Sequence, residues 1–366
     1  MDFTINENQN MIADMIQQFG KQNITPFVRE WDDKQTFPVD VFKKLGELGL
    51  MGVLVPTKYG GSGFSYTEYV TAIEQLSILD PSIGLSMAAH NSLCTGHILQ
   101  FGNEEQKKKW LPKLVTAEWI GAWGLTEHNS GSDAAGMSTT AVKDGDDWVI
   151  NGTKAWCTNG DIANTFLIFA RTSDEQKRHM GLSAFIIERE TPGFTVGNTL
   201  PKIGIRGSKS VELILEDVKV PHSNILGEEG KGFYVAMDCY DHGRIEIAAQ
   251  GVGIGQAAIE SASKYITQRK AFGQTIMDFQ GPQFMLAEAI AELQASRLLT
   301  YWAASLRDQG KDYVSSAAIA KMYATEAAER ASLTAIKLCG SAGVATEYPM
   351  ERYLRDSQIT KIYEGT

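Results

Sequence analysis

The chain has 366 residues, 43% of them hydrophobic, and its 34 basic and 44 acidic side chains give a formal net charge of −10. This acidic balance disfavours nucleic acid, whose binding depends on neutralised phosphates. No apolar run reaches the roughly 18 residues that a membrane span needs. The four cysteines lie far apart and form no CxxC or metal-type spacing. We therefore predict a reduced compartment, no metal, and neither nucleic-acid nor membrane partners. The first residues lack signal character, which indicates a bacterial cytoplasm, or a mitochondrial matrix if a transit peptide has been removed.

The first third of the chain, residues 1–118, is predicted to be a helical domain. Apolar side chains recur at helical spacing over residues 11–19, and Pro38 begins a second helix. A third helix is predicted over 66–79, because Asp80-Pro81 stops it. A fourth is predicted from about 82 towards 101. A short helix over 104–115 is expected to be interrupted by Pro112.

Residues 119–228 change to short β-type runs separated by turn residues, which predicts a middle β-domain, a small barrel or sandwich. The dipeptide Asn151-Gly152 follows the apolar run 148–150 and is the strongest short hairpin signal in the chain. Strands with buried faces are expected over 165–169 and 183–187, and an alternating strand over 211–215.

Residues 229–366 return to helical periodicity. Long helices are predicted over 233–267, 282–309 and 313–338, with a short one around Glu351, giving a four-helix-bundle-like domain packed against the other two. The fold class is therefore α+β multidomain. The glycine-rich run 251–255 lies inside the first of these helices. A dinucleotide fingerprint must follow a strand and open a helix, so we interpret this run as close helix packing.

Two polar stretches are the strongest functional signal. Residues 124–136 are rich in glycine, serine and asparagine, which let the backbone turn and present N–H groups. Trp123 precedes this stretch and Thr126 lies inside it, so stacking surface and hydrogen-bonding groups for a flat polar ring occur together. Residues 154–160 repeat the combination with Trp156 and Thr158. The histidines form no HExxH and no GxSxG elbow exists, which disfavours metalloenzymes and hydrolases.

Together the two stretches resemble the flavin-facing segments of the acyl-CoA dehydrogenase family, and the helical–β–helical order extends the resemblance over nearly the whole chain. Thr126-Glu127 and Gly131-Ser132-Asp133 keep the frame of the family's first signature, with His128 where a proline is common. Residues 337–356 are similar to the second signature, with Lys337 in the place of a usual glutamine. The resemblance implies FAD as the cofactor.

The resemblance also implies individual cofactor contacts. Trp156 would cover one flavin face, Thr158 would lie near N5, and Leu125 and Thr126 would face the pyrimidine edge. The segment from Arg269 to Gln280 is similar to adenine and pyrophosphate contacts that the family takes from a neighbouring subunit, which implies a homo-oligomer, usually a tetramer. The predicted cofactor residues are Trp123, Leu125, Thr126, Ser132, Trp156, Thr158, Arg269, Phe272, Gln280, Lys337, Gly340, Ser341 and Thr366.

The segment Ile362-Tyr363-Glu364-Gly365-Thr366 occupies the place of the family's catalytic carboxylate. Oxidising an acyl thioester to its α,β-enoyl form removes the α-hydrogen as a proton, while the β-hydrogen leaves as hydride to flavin N5. A glutamate in a dry pocket has a raised pKa and is a stronger base. The resemblance therefore implies Glu364 as the base. It also implies that the Glu364 backbone N–H and a ribityl hydroxyl polarise the thioester carbonyl.

A minority of the family carries the base at the position of Gly243, where glycine excludes it. We interpret Glu246, one helical turn later, as structural. Arg244 and Asp241 resemble the pair that engages the nucleotide end of coenzyme A. The predicted substrate residues are Ser132, Asp241, Gly243, Arg244, Tyr363 and Gly365.

These residues predict a short-chain acyl-CoA dehydrogenase, because 87–93 and 363–366 look most like the short-chain and butyryl members. Electrons would pass to an electron-transfer flavoprotein. The alternatives are an oxidase-like flavoenzyme that uses oxygen and a non-catalytic scaffold, although the scaffold predicts a lost base. The family continues past Glu-Gly-Thr with a helix that helps hold the flavin. We therefore expect a truncated C-terminal domain or, if the chain ends at Thr366, weak FAD binding.

Overall fold

The computed structural model describes residues 4–173 and 178–366. It confirms the α+β multidomain class, with helical N- and C-terminal domains around a central sheet. Capping boxes begin three of the N-terminal helices, at Asn6, Ser65 and Asn103. The N-terminal elements are α1 Glu7–Asn23, α2 Val28–Lys34, α3 Val39–Glu47, α4 Tyr66–Leu79, α5 Pro81–Ala88, a π-helical segment Ala89–Gly96, α6 His97–Phe101 and α7 Glu104–Val115.

The predicted interruption of α7 at Pro112 is wrong, since the helix continues through the proline to Val115. Pro112 has no N–H to donate to the carbonyl of Lys108, but Lys108 is exposed and water can satisfy that group. Trp110 and Leu111 are buried on the other face and hold the helix in place. Tertiary packing here outweighs the local cost of proline.

The middle domain is one sheet, in the order β6-β7-β3-β2-β4-β5-β8, with β1 parallel to β4. Every neighbouring pair is antiparallel except β2–β4 and β1–β4. The buried face of β1 and β4 packs against the π-helical segment, which brings the N-terminal domain onto the sheet. The strands are β1 Gly121–Gly124, β2 Thr140–Asp144, β3 Asp147–Thr158, β4 Thr165–Arg171, β5 Leu182–Glu188, β6 Phe194–Thr199, β7 Ser210–Pro221 and β8 Ile225–Leu226.

The predicted hairpin at Asn151-Gly152 is wrong. Both residues lie inside β3, and the chain instead reverses between Asp144 and Asp147, where Gly145 has φ +63°. Gly152 is needed for a different reason. The pairing of β3 with β7 shifts register at this point, and a Cβ on Gly152 would lie 2.4 Å from Thr139 Oγ1. The glycine therefore marks a β-bulge with a close backbone approach.

The C-terminal domain is helical as predicted. Its three long helices, α8 (Gly232–Ile266), α9 (Gln280–Asp308) and α10 (Val314–Cys339), pack against one another, and α8 and α9 also pack against α4. The glycine-rich run 251–255 lies within α8, and a Cβ on Gly253 would lie 2.6 Å from the Glu74 carbonyl oxygen in α4. The run thus permits close helix packing. The elements are α8 Gly232–Ile266, the hairpin β9 Lys270–Ala271 and β10 Gln274–Thr275, α9 Gln280–Asp308, α10 Val314–Cys339, α11 Ser341–Val344 and α12 Met350–Thr360. Each helix in the described ranges is too short or too polar to cross a membrane.

Candidate active site

The two polar stretches are fastened to each other by one buried lysine. Lys154, fully buried in β3, donates from Nζ to the Leu125 carbonyl (3.2 Å) and to Glu127 Oε1 (2.8 Å). The backbone N–H of Ala155 donates to the Thr126 carbonyl at 2.8 Å. Residues 125–127 therefore lie directly beside 154–155. Leu125 and Thr126 are thus held beside the end of β3 that carries Trp156 and Thr158.

Glu127 is the acidic partner of Lys154 in this buried ion pair. Besides Lys154, its carboxylate accepts from the backbone N–H and the hydroxyl of Ser138 (2.6 and 2.5 Å) and of Thr139 (2.9 and 2.6 Å). Burial alone would raise the pKa of Glu127, but the charge and hydrogen bond of Lys154 outweigh it and lower that pKa to about 2. This ion pair could not be predicted from the sequence, because a lysine in a strand is usually exposed.

Trp156, near the end of β3, has an aromatic face at the protein surface. Its side chain is 51% exposed and its φ is +61°, a conformation that a large side chain rarely adopts. Asn159, three residues later, has φ +63°. Strained backbone of this kind clusters at ligand-binding sites. An exposed indole beside Thr158 fits the flat ring system of FAD, which the resemblance places here.

A narrow cavity opens between the sheet edge and the helical domains. It brings together Thr158 from the middle domain and Glu364 from the C-terminal segment. The π-helical segment supplies part of its wall, and such segments are frequent at functional sites. The lining residues are Leu85, Ala88, Ala89, Ser92, Leu93, Thr158, Glu246, Ile247, Tyr363 and Glu364.

The Glu364 side chain lines this cavity. The residue as a whole is only partly buried, but its Oε2 atom is buried and has no partner among the described residues. Desolvation, followed by the nearby charge of Glu246, raises the pKa of Glu364 to about 8, and Lys321 and Arg244 oppose the shift. Its φ of +56° is strained in the same way as those of Trp156 and Asn159.

The segment around Glu364 is fixed by buried polar groups of the helical domain. Lys321 in α10 donates from Nζ to the Gly365 carbonyl (2.6 Å) and to the Lys361 carbonyl (3.0 Å). The Tyr363 hydroxyl donates to Gln250 Oε1 in α8. These bonds hold residues 361–365 against two helices. The carboxyl group therefore keeps its direction although it lies outside regular secondary structure.

Gly243 leaves the space that the Glu364 carboxyl group occupies. A Cβ at this position would lie 2.7 Å from Glu364 Oε2, so no larger side chain fits while the glutamate points this way. The neighbouring Arg244 donates to Asp241 Oδ1 at 3.1 Å, and both residues are about one-third exposed. Arg244 lies beside Gly365, whose added Cβ would be 3.4 Å from its guanidinium group.

Glu246 lines the same cavity, which our structural interpretation of this residue did not include. Its Oε1 accepts from the Tyr66 hydroxyl (2.5 Å) and lies 3.3 Å from His242 Nδ1. Desolvation raises the pKa of Glu246 to about 7, although its hydrogen bonds with Tyr66 and Ser92 oppose the shift. Helical spacing placed Glu246 on the face of Gly243, but the sequence did not reveal its polar partners.

The remaining predicted residues lie around this centre or away from it. Trp123 is buried in β1, with its ring centroid 4.5 Å from that of Phe169 and 5.1 Å from that of His97, so core residues cover it. Leu125 is buried, and Thr126 lies near the side chain of Tyr240. Their cofactor contacts stay predictions, as do those of the exposed residues Ser132, Arg269, Phe272, Gln280, Lys337, Gly340, Ser341 and Thr366.

Comparison with known proteins identifies relatives over the full chain. The N-terminal, middle and C-terminal domain models of acyl-CoA dehydrogenase match residues 6–118, 122–218 and 230–366. A short-chain specific acyl-CoA dehydrogenase of Clostridium acetobutylicum is 43% identical over 100% of this chain and 96% of its own. The structure of butyryl-CoA dehydrogenase from Megasphaera elsdenii has a TM-score of 0.98 at 42% identity, with 100% of this chain and 96% of that chain covered. A chain in the structure described as electron transferring flavoprotein of Acidaminococcus fermentans gives the same four values.

Proposed function

This chain belongs to the acyl-CoA dehydrogenase family and is an FAD-dependent acyl-CoA dehydrogenase. We propose that it oxidises short-chain acyl-CoA thioesters to trans-2-enoyl-CoA, with Glu364 as the base. The observation that carries the proposal is the buried, donor-free Oε2 of Glu364 in a cavity that also contains Thr158. The identity to short-chain and butyryl relatives supports the substrate class.

The residues of the two polar stretches fit the flavin. The exposed indole of Trp156 provides a stacking surface, and Thr158 reaches from the same strand into the cavity. Bound FAD supplies the acceptor for the β-hydrogen and its electron pair. Leu125 and Thr126, fixed by Lys154 and Ala155, present backbone groups beside that surface. We propose that the other predicted cofactor residues contact FAD as the family resemblance implies.

Glu364 takes the α-proton in this proposal. Its deprotonated carboxylate lacks the hydrogen bonds that would stabilise the charge, so it binds a proton more tightly than an exposed glutamate does. The thioester carbonyl gains negative charge as the α-proton leaves, and the backbone N–H of Glu364 is positioned by the neighbouring Gly365–Lys321 bond to donate to it. The apolar wall of Leu85, Ala88 and Ile247 excludes water from the acyl chain.

We further propose a homotetramer and an electron-transfer flavoprotein as partners. The side chain of Phe272, at the tip of the β9–β10 hairpin, is 96% exposed, and so large an exposed aromatic group indicates a contact surface. Arg269 and Gln280 flank that hairpin and are exposed, as expected if they meet the FAD of a neighbouring subunit. The relative described as an electron transferring flavoprotein supports the second partner.

Anaerobic flavin bleaching of the holoenzyme with a panel of acyl-CoAs tests the function. We expect butyryl-CoA to reduce the flavin faster than longer or branched thioesters, and E364Q to lower that rate by about 100- to 10,000-fold, the usual contribution of a general base. Undiminished bleaching by E364Q would refute the role of Glu364. Faster reoxidation by oxygen than by an artificial acceptor would indicate an oxidase, and a protein that stays colourless with added FAD would indicate a scaffold.

A further inference from the structure

We propose that His97, Asp238 and His242 form a binding site for a divalent transition-metal ion, with zinc as the best match. His97 begins α6, while Asp238 and His242 lie one turn apart on α8. One ligand atom from each residue lies within 4.8 Å of the other two, and His242 Nε2 is 3.8 Å from Asp238 Oδ2. None of the three residues is among those that line the acyl cavity, so the site does not depend on the proposed substrate.

Hydrogen bonding leaves a lone pair of each ring directed at the centre of this cluster. His97 Nδ1 is 2.8 Å from the Ser92 carbonyl, which can only accept, so Nδ1 carries the hydrogen and Nε2 carries the lone pair. His97 is fully buried, and its Nε2 has no hydrogen-bond partner within the described residues. His242 Nδ1 is 3.3 Å from Glu246 Oε1, which leaves its Nε2 facing Asp238.

The third group in the cluster is also an acceptor without a donor. Asp238 Oδ2 is buried and unpaired in the part of the chain that the structure describes. Two lone-pair nitrogens and a carboxylate oxygen therefore converge. Buried acceptors of this kind need a proton, a water molecule or a cation. Because the three groups lie on two different helices, their spacing in the sequence did not suggest a metal site, and we predicted none.

The donor set selects zinc over magnesium or calcium. Two imidazole nitrogens and one carboxylate oxygen suit zinc and its neighbours, and a water molecule can take the fourth position. Tetrahedral coordination places ligand atoms about 3.4 Å apart, and the three atoms lie within 4.8 Å of one another, so no pair must close by more than about 1.4 Å. The Ser92 carbonyl and Glu246 would hold the rings by their other nitrogens, as outer-shell partners do at metal sites. The side chain of Asp238 is 30% exposed, which gives an ion access to the centre.

Zinc titration of the chelator-treated, dialysed holoenzyme tests the site. We expect one ion per chain by calorimetry and elemental analysis, a raised melting temperature, and no binding of magnesium. H97Q and D238N should each weaken zinc binding by about 100-fold or more, since even outer-shell changes cost 10- to 100-fold. H179Q, which changes a histidine outside the cluster, is the matched control and should bind zinc like the wild type.

Cobalt provides a second readout that needs no variant. Tetrahedral Co²⁺ bound to the wild-type chain should give an intense visible absorption that zinc displaces. D238N preserves side-chain size, so it keeps the test valid if H97Q fails to fold. Absence of zinc binding by the wild type, or zinc binding that D238N and H97Q leave unchanged, would overturn the proposal. Flavin bleaching by butyryl-CoA would still be measured separately, so failure here leaves the proposed function intact.

Discussion

Glu127 and Glu364 are two carboxylates in dry surroundings that the protein treats in opposite ways. Glu127 accepts from Lys154 and from four groups of Ser138 and Thr139, and its pKa falls to about 2. Oε2 of Glu364 accepts from none of the described residues, and the pKa of that carboxyl rises to about 8. Burial raises the pKa in both places, so the neighbouring groups decide the outcome: the charge of Lys154 and the hydrogen-bond donors lower the pKa of Glu127, whereas the charge of Glu246 raises that of Glu364 further. A carboxylate that accepts several hydrogen bonds stabilises the fold, while a carboxylate oxygen that accepts none remains free to take a proton.

The largest change in stability is expected when Glu127 loses the cation of Lys154. K154M leaves a buried carboxylate without its cation, which should lower the free energy of unfolding by about 3–5 kcal/mol. Chemical denaturation of the holoenzyme measures this loss. The control is K209M, because Lys209 lies 3.6 Å from Asp161 and its side chain is 33% exposed. That change should cost at most about 1 kcal/mol. Equal free energies of unfolding for the two variants would mean that the buried pair does not stabilise the fold.

A smaller effect, of opposite sign, is expected at Glu364. Because its pKa is raised, its contribution to stability is present below the unfolded value near 4.5 and is lost as the pH rises towards 8. E364Q should therefore raise the free energy of unfolding at pH 9, by about 1 kcal/mol after allowance for the partial exposure of the residue, and change little at pH 4.

E127Q is the matched comparison for that experiment. The lowered pKa of Glu127 stabilises the folded state above about pH 4.5, and this stabilisation is lost as the pH falls towards 2. E127Q should thus destabilise the protein at pH 9, where E364Q stabilises it. If both variants moved stability in the same direction at pH 9, the contrast between the two carboxylates would be wrong.

The smallest expected effect concerns the influence of Glu246 on Glu364. The charge of Glu246 is the second cause, after desolvation, of the raised pKa of Glu364. E246Q should shift the pH inflection of flavin reduction downward, by less than about one pH unit. Stopped-flow reduction at several pH values measures the shift. An upward shift would show that Glu246 does not act on the base through its charge.

The sequence predicted most of the helices because their apolar periodicity and caps are local signals. It failed at Pro112 and at Asn151-Gly152, where burial of Trp110 and the bulge against β7 overrode local preference. Tertiary packing decides such cases, and no window of neighbouring residues contains it.

For the site, the sequence identified Glu364, Trp156 and Thr158 only through the family resemblance. Local patterns alone would have placed Glu364 among exposed acids. The Lys154–Glu127 pair and the hydrogen bond of Glu246 with Tyr66 could not be predicted from the sequence. Each joins residues that are distant in the chain, and each matters only because the residues are buried. Polar networks of this kind depend on geometry, whereas helices depend on spacing.

The pH dependence of flavin reduction at low butyryl-CoA concentration tests the central claim most directly, because it reports the ionisation of the free enzyme. Glu364 must be deprotonated to act as a base. The rate should therefore rise with pH through an inflection near 8, the raised pKa of this carboxyl, and the inflection should be absent from the residual rate of E364Q. A wild-type inflection near the ordinary glutamate value of about 4.3 would contradict the account.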